Sequence, residues 1–284
     1  MGGKAIAVEA DVSKKGQVLE RADGRDRLEE RRFHVETVES GEASMKVLAV
    51  DIGGTNVKIL ATGQTESRKF PSGPTLTPRR MVARVKKLAG DWKYDVVSIG
   101  YPGVVVNDRA TTEPRNLASG WVGFDFSKAF GCHVKVINDA AMQALGSYNG
   151  GTMLFLGLGT GLGSALMVRG HIVPMELGAL SLGNRTVEDY LGNRGLQKLG
   201  KKKWRKVVER LVERLVSALL LDEAVIGGGN AKKLKEAPRG CRLGTNANAF
   251  IGGFRMWEPA KARTSHSPER SRHDRARTAK GTHR

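Results

Sequence analysis

The chain has 284 residues, which is enough for one large domain or two moderate ones with a sizeable core. Its 36 glycines and 40% hydrophobic content suit a turn-rich α/β protein, and no apolar run approaches the roughly 20 residues of a membrane helix. The N-terminus lacks the apolar stretch of a secretory signal. The two cysteines, Cys132 and Cys241, have no metal-binding spacing. We therefore expect a cytoplasmic protein with free thiols and no membrane partner.

The net charge of +18 is unevenly distributed. Residues 46–257 contain 31 Lys/Arg against 16 Asp/Glu, whereas residues 1–45 contain 8 against 10. A basic folded region favours polyanions such as polyphosphate or nucleic acid, and a generally basic solvated surface is an equal alternative. Nucleic acid is disfavoured as a partner because the chain has neither a helix-turn-helix pattern nor an aromatic-rich platform.

Both ends of the chain differ in composition from the middle. Residues 1–44 are of mixed charge with little apolar periodicity, so we interpret them as an extension outside the folded region that Met45 opens. Residues 258–284 are basic and nearly free of large apolar side chains. Such a segment cannot bury enough surface to fold alone, and we expect a disordered tail.

The first predicted strand is the apolar run at residues 47–50, and it leads into Asp51 and a glycine turn. A strand pattern resumes at residues 57–60. A strand, an acid and a glycine turn in this order can hold phosphate on backbone N–H groups while the acid faces a metal ion. The alternative is an ordinary Gly-Gly hairpin.

The next elements alternate between helix and strand. Thr77 and Pro78 open a helix that Gly90 ends. Strands follow at residues 96–100 and 134–137, with a short helix between them that ends at Phe130 and Gly131. The second of these strands places Asn138 and Asp139 at its carboxyl end, where the chemistry of open α/β sheets is usually found.

The second half of the chain repeats the pattern. Residues 140–146 predict a helix, and a buried strand at 152–156 opens a second glycine turn at 157–164. A hairpin returns through Arg169 and Gly170. Apolar residues between Trp204 and Leu219 recur at three- and four-residue steps, which indicates a long amphipathic helix. A strand at 224–226 leads to a third glycine turn, and residues 245–257 predict a terminal helix.

Three glycine turns that each follow a buried strand, with Asn138 and Asp139 between the first two, form a specific combination, although one such turn is weak evidence. The chain lacks the Gly-x-x-x-x-Gly-Lys-Ser/Thr motif of P-loop enzymes. The combination resembles the ROK (repressor, open reading frame, kinase) sugar kinases of the actin-like ATPase superfamily over residues 45–257, and within them the polyphosphate- or ATP-dependent glucokinases. The resemblance is carried by residues 51–56, 116–117, 120–121, 138–139, 158–165, 176–178 and 226–230.

The resemblance implies an α/β fold of two RNase H-like domains with a cleft between them, which we place at residues 45–138 and 139–257. It also implies a homodimer. Asp139 matches the catalytic base that takes the proton from the attacking sugar hydroxyl, and a carboxylate suits that role. The alternative for Asp139 is a helix N-cap. Asn116, Asn138 and Glu176 match residues that hydrogen-bond the hexose, the alternatives being loop capping for Asn116 and turn formation for Asn138.

The same resemblance assigns the donor side. The residues that it places near the transferred phosphoryl group, the donor phosphates or the nucleotide are Asp51, Gly53, Gly54, Thr55, Asn56, Lys58, Gly159, Thr160, Gly161, Gly228, Gly229 and Asn230. Asp51 would face Mg²⁺ through water, because charge on the phosphoryl oxygens must be neutralised during transfer. The donor is ATP or polyphosphate. Basic clusters at residues 201–206 and 232–235 could guide polyphosphate or could be solvated helix ends.

The chain departs from the family at two places. Ala179 stands where the Glu-x-Gly-His pattern of the family has a sugar-contacting histidine. The Cys-x-Cys-Gly-x-x-Gly-Cys cluster that holds zinc in many relatives is absent, so we expect no zinc. The sequence thus predicts a hexose kinase that phosphorylates glucose or a similar sugar at the 6-hydroxyl, and the alternative is a sugar-binding regulator with weak or no kinase activity.

Overall fold

A computed structural model describes residues 45–245 and 247–259 of the chain. The expectations for residues 1–44 and for nearly all of the basic tail lie outside this part. The described residues form two compact units, the first built from residues 45–146 and 247–257 and the second from residues 147–245.

Within the described residues, groups of strands are interspersed with helices along the chain. The elements up to residue 147 are β1 (Val47–Ile52), β2 (Asn56–Ala61), β3 (Arg68–Pro71), α1 (Pro78–Ala89), β4 (Val96–Tyr101), β5 (Val105–Val106), β6 (Arg109–Ala110), α2 (Phe126–Phe130), β7 (His133–Asn138) and α3 (Asp139–Ser147). The later elements are β8 (Thr152–Leu158), β9 (Leu162–Val168), β10 (His171–Met175), β11 (Ser181–Leu182), β12 (Arg185–Thr186), α4 (Val187–Leu191), α5 (Asn193–Ala218), β13 (Glu223–Gly227), β14 (Cys241–Leu243) and α6 (Asn248–Arg255). Short 3₁₀ turns lie at Leu177–Ala179 and Ala231–Lys233.

The two units have the same sheet topology. The first sheet has the strand order β3-β2-β1-β4-β7, in which the first three strands are antiparallel and β1, β4 and β7 are parallel. The second has the order β10-β9-β8-β13-β14, again with three antiparallel strands followed by parallel pairing. This repetition confirms the expectation of two RNase H-like α/β domains.

The sheet of the first unit is covered on both faces, which explains its continuous apolar strands. Leu48, Val50 and Ile52 pack in a core with Met81 and Val85 of α1. The opposite face is covered by α3 and α6. The predicted start of α1 is confirmed, because the Thr77 side chain accepts a hydrogen bond from the Arg80 N–H and Pro78 is the first helical residue.

The C-terminal helix α6 belongs to the first unit, although it follows the second unit in sequence. Its Gly253 carbonyl accepts a 2.6 Å hydrogen bond from the buried Ser98 hydroxyl of β4, and the Trp257 indole N–H donates to the same hydroxyl at 2.8 Å. The unit boundaries therefore differ from the expected 138/139 division. Helix α3 belongs to the same unit as the strands on which it packs. Residues 247–257 belong to that unit too, and their helix α6 packs on β1 and β4.

Two helices differ from their predicted bounds. Helix α5 begins at Asn193, eleven residues before the Trp204 at which the periodicity starts, and its path breaks at Gly200, whose φ of 71° is left-handed. Trp204 is fully buried, and its indole N–H donates to the Leu191 carbonyl at 3.1 Å, which ties α5 to α4. The terminal helix covers only Asn248–Arg255, within the predicted residues 245–257.

Candidate active site

Asp51 lies near the carboxyl end of β1, where its side chain is buried with 8% of the residue exposed. The ammonium of Lys58, its register partner on β2, lies 3.9 Å from one carboxylate oxygen. Burial raises the pKa of Asp51 above its ordinary value, and the positive charge of Lys58 opposes that increase. The two predicted residues therefore form one partly buried pair, in which Lys58 favours the ionised carboxylate.

The turn after Asp51 is closed by its own backbone. The Gly53 N–H donates to the Asn56 carbonyl at 3.0 Å. Ser72 braces the turn from outside, because its hydroxyl donates to the Gly53 carbonyl at 2.8 Å and its N–H to the Thr55 carbonyl at 3.0 Å. Gly54 and Thr55 are exposed. The structure therefore holds this turn in a defined shape with its tip open to solvent, and the role of Ser72 was not foreseen from sequence.

The side chains of Asn138 and Asp139 both accept hydrogen bonds at the start of α3. The Asn138 side-chain oxygen accepts from the N–H groups of Ala140 and Ala141 at 2.9 and 3.2 Å, which is the N-cap role that the sequence left open for Asp139. Asn138 also donates through its amide to the Gly103 carbonyl at 3.1 Å. Asp139 is the first helical residue, and one of its carboxylate oxygens accepts from the Ala140 N–H at 2.9 Å.

The parallel strands bring Asp51 and the Asn138–Asp139 pair to the same edge of the first sheet. Asp51 is in register with Gly100 of β4, and the following β4 residue, Tyr101, is in register with Asn138 of β7. Carboxyl ends of parallel strands are the usual place for ligands in such sheets. Two of the predicted functional segments are thus neighbours across β4.

Asn116 lies in an exposed loop that a single carboxylate closes. Glu113 accepts hydrogen bonds from the N–H groups of Gly120, Trp121 and Val122 at 3.1, 3.2 and 3.3 Å. Trp121 is fully buried against Tyr101 and Phe126, with ring centroids 5.7 and 6.3 Å away. The loop that carries Asn116 is therefore anchored at one end in the core and clamped by Glu113. Nothing in the sequence singled out Glu113.

The glycine turn of the second unit connects β8 to β9. The Gly159 N–H donates to the Gly161 carbonyl at 3.1 Å. The N–H of Asn193, the first residue of α5, lies 3.1 Å from the Gly159 carbonyl and 3.3 Å from that of Thr160. The start of α5 therefore holds the turn from behind, while Thr160 is exposed at its tip.

The third glycine turn packs directly on the second. Gly228 has a φ of 82°, and a Cβ placed on it would lie 2.7 Å from the Leu158 nitrogen, so only glycine fits there. The buried Asn230 donates its side-chain amide to the Gly159 carbonyl at 3.0 Å and to the Asn193 side-chain oxygen at 2.8 Å. The sequence predicted both turns, and the structure adds Asn193 as the residue that joins them.

Glu176 follows β10 and lies at the same end of the second sheet as these turns. The Ser164 hydroxyl fixes this point, since it donates to the Met175 carbonyl at 2.8 Å and accepts from the Leu177 N–H at 3.0 Å. Glu176 is exposed. Ala179 ends the following 3₁₀ turn, and its N–H donates to the Glu176 carbonyl at 3.0 Å. Ala179, which stands where the family has a histidine, is also exposed.

The two basic clusters meet on the second unit. The Arg205 guanidinium donates to the Lys233 carbonyl at 2.6 Å, and the Lys233 ammonium donates to the Asn230 side-chain oxygen at 2.6 Å. A chain of hydrogen bonds therefore runs from α5 through Lys233 to the third glycine turn. His171, by contrast, lies on the exposed edge strand β10, where its ring contacts the Arg169 carbonyl.

Both cysteines are half-buried free thiols, as expected. Burial raises the pKa of Cys132, and it raises the pKa of Cys241 to about 11 with help from the charges of Glu213 and Glu223. Over residues 45–245 and 247–259, no group of three or more His, Cys, Asp or Glu could hold a metal ion. The helices of that same part include none that is long and apolar enough to cross a membrane.

Comparison with known proteins gives consistent results. A model of the ROK family matches residues 47–179. A polyphosphate glucokinase of Mycobacterium tuberculosis is 27% identical over 206 residues, which are 65% of this chain and 77% of that protein.

Two solved structures share the fold. The inorganic polyphosphate/ATP-glucomannokinase of Arthrobacter sp. strain KM superposes with a TM-score of 0.64 at 22% identity, covering 74% of this chain and 96% of that one. A ROK family glucokinase from Streptomyces griseus, solved with glucose and AMPPNP, gives a TM-score of 0.56 at 18% identity, with coverages of 73% and 97%. Residues 47–179 therefore match the ROK family, and the chain has the same two-unit α/β fold as these two sugar kinases.

Proposed function

We propose that this protein is a hexose kinase that transfers a phosphoryl group from ATP or polyphosphate to the 6-hydroxyl of glucose or a similar hexose. The observation that carries the proposal is the placement of Asp139. Strand β7 ends at the same edge of the first sheet as β1, with β4 between them, so Asp139 follows β7 at the edge that carries the Asp51 turn, and Asn138 caps the helix. The Asp139 carboxylate accepts a hydrogen bond from the Ala140 N–H at 2.9 Å, and a carboxylate at this place in the sheet is a group suited to act as a base.

In this mechanism Asp139 orients the sugar hydroxyl and accepts its proton as the oxygen attacks phosphorus. Asn116, Asn138 and Glu176 would bind hexose hydroxyls. Asn116 and Glu176 are exposed and therefore accessible to a ligand. An amide nitrogen carries two N–H groups, so Asn138 can donate to a hydroxyl and to Gly103 together. A sugar that lacked the matching hydroxyls would leave such groups unpaired, which gives discrimination.

We place the phosphates of the donor on the glycine turns. Gly53, Gly54, Thr55 and Asn56 would approach the transferred phosphoryl group, and residues 159–161 and 228–230 the rest of the donor. Backbone N–H groups in such turns bind anions without a charged side chain. The Asn230 bridge between the second and third turns supports a single donor site built from both.

Magnesium fits this arrangement through Asp51. Mg²⁺ keeps several waters and takes one or two protein carboxylates together with substrate phosphates, so a single buried carboxylate is a sufficient protein ligand. Lys58 beside Asp51 favours the ionised form that metal binding needs. When bound, the ion would neutralise charge on the phosphoryl oxygens.

The basic surface formed by residues 201–206 and 232–235 bears on the choice between ATP and polyphosphate as the donor. Lys233 contacts both Arg205 and Asn230, so this surface is continuous with the third glycine turn. A polyphosphate chain could therefore extend from the turn along these cations. A donor competition assay separates the two donors, and turnover with ATP but none with polyphosphate would reject polyphosphate.

The experiment that tests the function is a coupled assay of the purified chain against a hexose panel with MgATP and with polyphosphate. We expect glucose phosphorylation that Asp139→Asn lowers by about 100- to 10,000-fold, the usual range for loss of a general base. Glucose affinity of the variant should stay within a few fold of wild type. Full turnover by Asp139→Asn would remove Asp139 as the base.

A second candidate is a sugar-responsive regulator that binds hexose with little turnover. Ala179 favours it, because the position lies at the exposed end of the 3₁₀ turn that follows Glu176 and offers no side-chain hydrogen bond. Isothermal titration with glucose separates the two candidates. Glucose binding without phosphorylation by any donor would establish the regulator.

The proposal includes two properties of the whole protein. Cytoplasmic location is supported by the two free, half-buried thiols, which suit a reducing compartment. A homodimer is supported by the family resemblance, and sedimentation velocity of the purified chain would test it.

A further inference from the structure

Glu113 gathers the N–H groups of three consecutive residues on one carboxylate. Its Oε1 oxygen accepts from Gly120 at 3.1 Å and from Val122 at 3.3 Å, and its Oε2 oxygen accepts from Trp121 at 3.2 Å. Gly120 has a left-handed φ of 95°, a conformation that glycine adopts without steric cost. Converging N–H groups of this kind form an anion-binding concavity, or nest, and here the chain fills its nest with its own carboxylate.

Both ends of the loop that Glu113 closes are fixed by the core of the first unit. The hydroxyl of the buried Tyr101 donates to the Thr112 carbonyl at 2.7 Å, which holds the backbone just before Glu113. Trp121, in the middle of the nest, is fully buried against Tyr101 and Phe126. The carboxylate therefore joins two fixed points, and residues 114–119 between them form a closed loop.

Asn116 lies near the middle of this closed loop and is exposed. Pro114 is buried on one side of it, and Leu117 packs partly against the core on the other. These apolar contacts keep the loop on the surface of the core. The hydrogen bonds of Glu113 tie the two ends of the loop to each other, so they restrict the path of the backbone that carries Asn116.

We propose that Glu113 is a positioning residue for the hexose, because it holds the loop in the shape that presents Asn116 to a sugar hydroxyl. The inference rests on the proposed function, which assigns Asn116 to the hexose. A loop that is closed before the ligand arrives loses less conformational freedom on binding, and that saving appears as affinity. The carboxylate acts through backbone N–H groups and does not touch the sugar. Its effect therefore belongs to hexose affinity and not to donor affinity.

The test compares Glu113→Ala, Glu113→Gln, Asn116→Ala and the double variant Glu113→Ala/Asn116→Ala in the full chain. The matched control is Glu66→Ala, at an exposed glutamate in another loop of the same unit. Melting temperature, kcat and the KM for each substrate are measured, and titrations with glucose and with ADP give affinities without turnover.

We expect Glu113→Ala to raise the glucose dissociation constant by about 5- to 50-fold, with that of ADP within about twofold of wild type. Glu113→Gln keeps one acceptor oxygen, so its loss should be smaller than that of Glu113→Ala. In the Asn116→Ala background the loss of Glu113 should add less than about twofold, because the side chain that it positions is then absent.

Three outcomes would overturn the inference. They are a lower melting temperature with glucose affinity unchanged, equal weakening of glucose and ADP, or fully additive losses in the double variant. If Glu113→Ala does not fold, Glu113→Gln in the wild-type and Asn116→Ala backgrounds gives the same comparison.

Failure of the proposed function looks different, because wild type itself would then show no phosphorylation. If that wild type still binds glucose, the titrations of the variants decide the role of Glu113. If it does not bind glucose, both proposals are rejected.

Discussion

Asn230 and Gly159 are joined by a 3.0 Å hydrogen bond from side-chain amide to backbone carbonyl. The two residues are 71 positions apart in sequence, and each belongs to a different glycine turn. Asn230 also contacts Asn193 and Lys233 through its side chain. The proposed donor site of the second unit therefore depends on one buried amide.

Asn230→Ala should weaken the donor more than the hexose. The substitution removes the bridge between the two turns and leaves buried partners unsatisfied, which costs about 1–3 kcal/mol. We expect the donor KM to rise about 5- to 100-fold with the glucose KM within about twofold of wild type. Steady-state kinetics with each substrate varied measure this, with the exposed Asn149→Ala as control. Equal effects on both KM values would contradict a donor-specific role.

Ala179→His should strengthen hexose binding. The position is exposed at the end of the 3₁₀ turn after Glu176, so an imidazole fits without disturbing the core. One added hydrogen bond contributes about 0.5–1.5 kcal/mol, which corresponds to about 2- to 10-fold in affinity. Isothermal titration with glucose provides the measurement, and Leu180→His at the adjacent exposed position is the control. An unchanged dissociation constant in Ala179→His would show that this position does not face the sugar.

Gly252→Ala should destabilise the first unit. A Cβ at this position of α6 would overlap the Met142 carbonyl oxygen of α3, and neither backbone can move without disturbing the sheet beneath. Overpacking of this kind costs about 1–3 kcal/mol. Chemical denaturation monitored by tryptophan fluorescence should show a lower denaturant midpoint for Gly252→Ala. The control Ser217→Ala, at an exposed position of α5, should match wild type. A midpoint equal to that of wild type would mean that α6 does not pack closely on α3.

Asp189 should make α4 sensitive to acid. Hydrogen bonds from the backbone and hydroxyl of Thr186 hold the pKa of Asp189 below its ordinary value of 3.8, with a smaller contribution from Arg194. A lowered pKa means that the ionised carboxylate stabilises the fold fully above that ordinary value, and that this stabilisation is lost as the pH falls through the lower folded value. Asp189→Ala should therefore be less stable than wild type at pH 7, and the difference should shrink below about pH 4.

Urea denaturation of both proteins from pH 7 to pH 3 measures this difference. Asp222→Ala is a less suitable comparison because Asp222 accepts a hydrogen bond from the Thr152 N–H, so the exposed Glu209→Ala serves as control. A stability difference that stayed constant across the pH range would assign the effect to packing rather than to the capping box.

Local sequence patterns predicted the positions of many strands, helices and turns of this fold. The apolar run at residues 47–50, the Thr77–Pro78 helix start and the strand before Asn138 all lie where the sequence predicted them, because strand burial and helix capping depend on neighbouring residues. The three glycine turns were equally readable, since a sharp turn after a buried strand requires glycine.

Long-range contacts were decided only by the tertiary structure. The return of α6 to the first sheet depends on Ser98 and Trp257, which are 159 residues apart. That Asn138 rather than Asp139 caps α3 depends on the direction of each side chain at the helix start. Glu113 and Ser72 are ordinary polar residues in the sequence and acquire a role only when folding brings N–H groups or a carbonyl against them. Sequence spacing contains no record of those distances, which is why the glycine turns could be predicted and the residues that hold them could not.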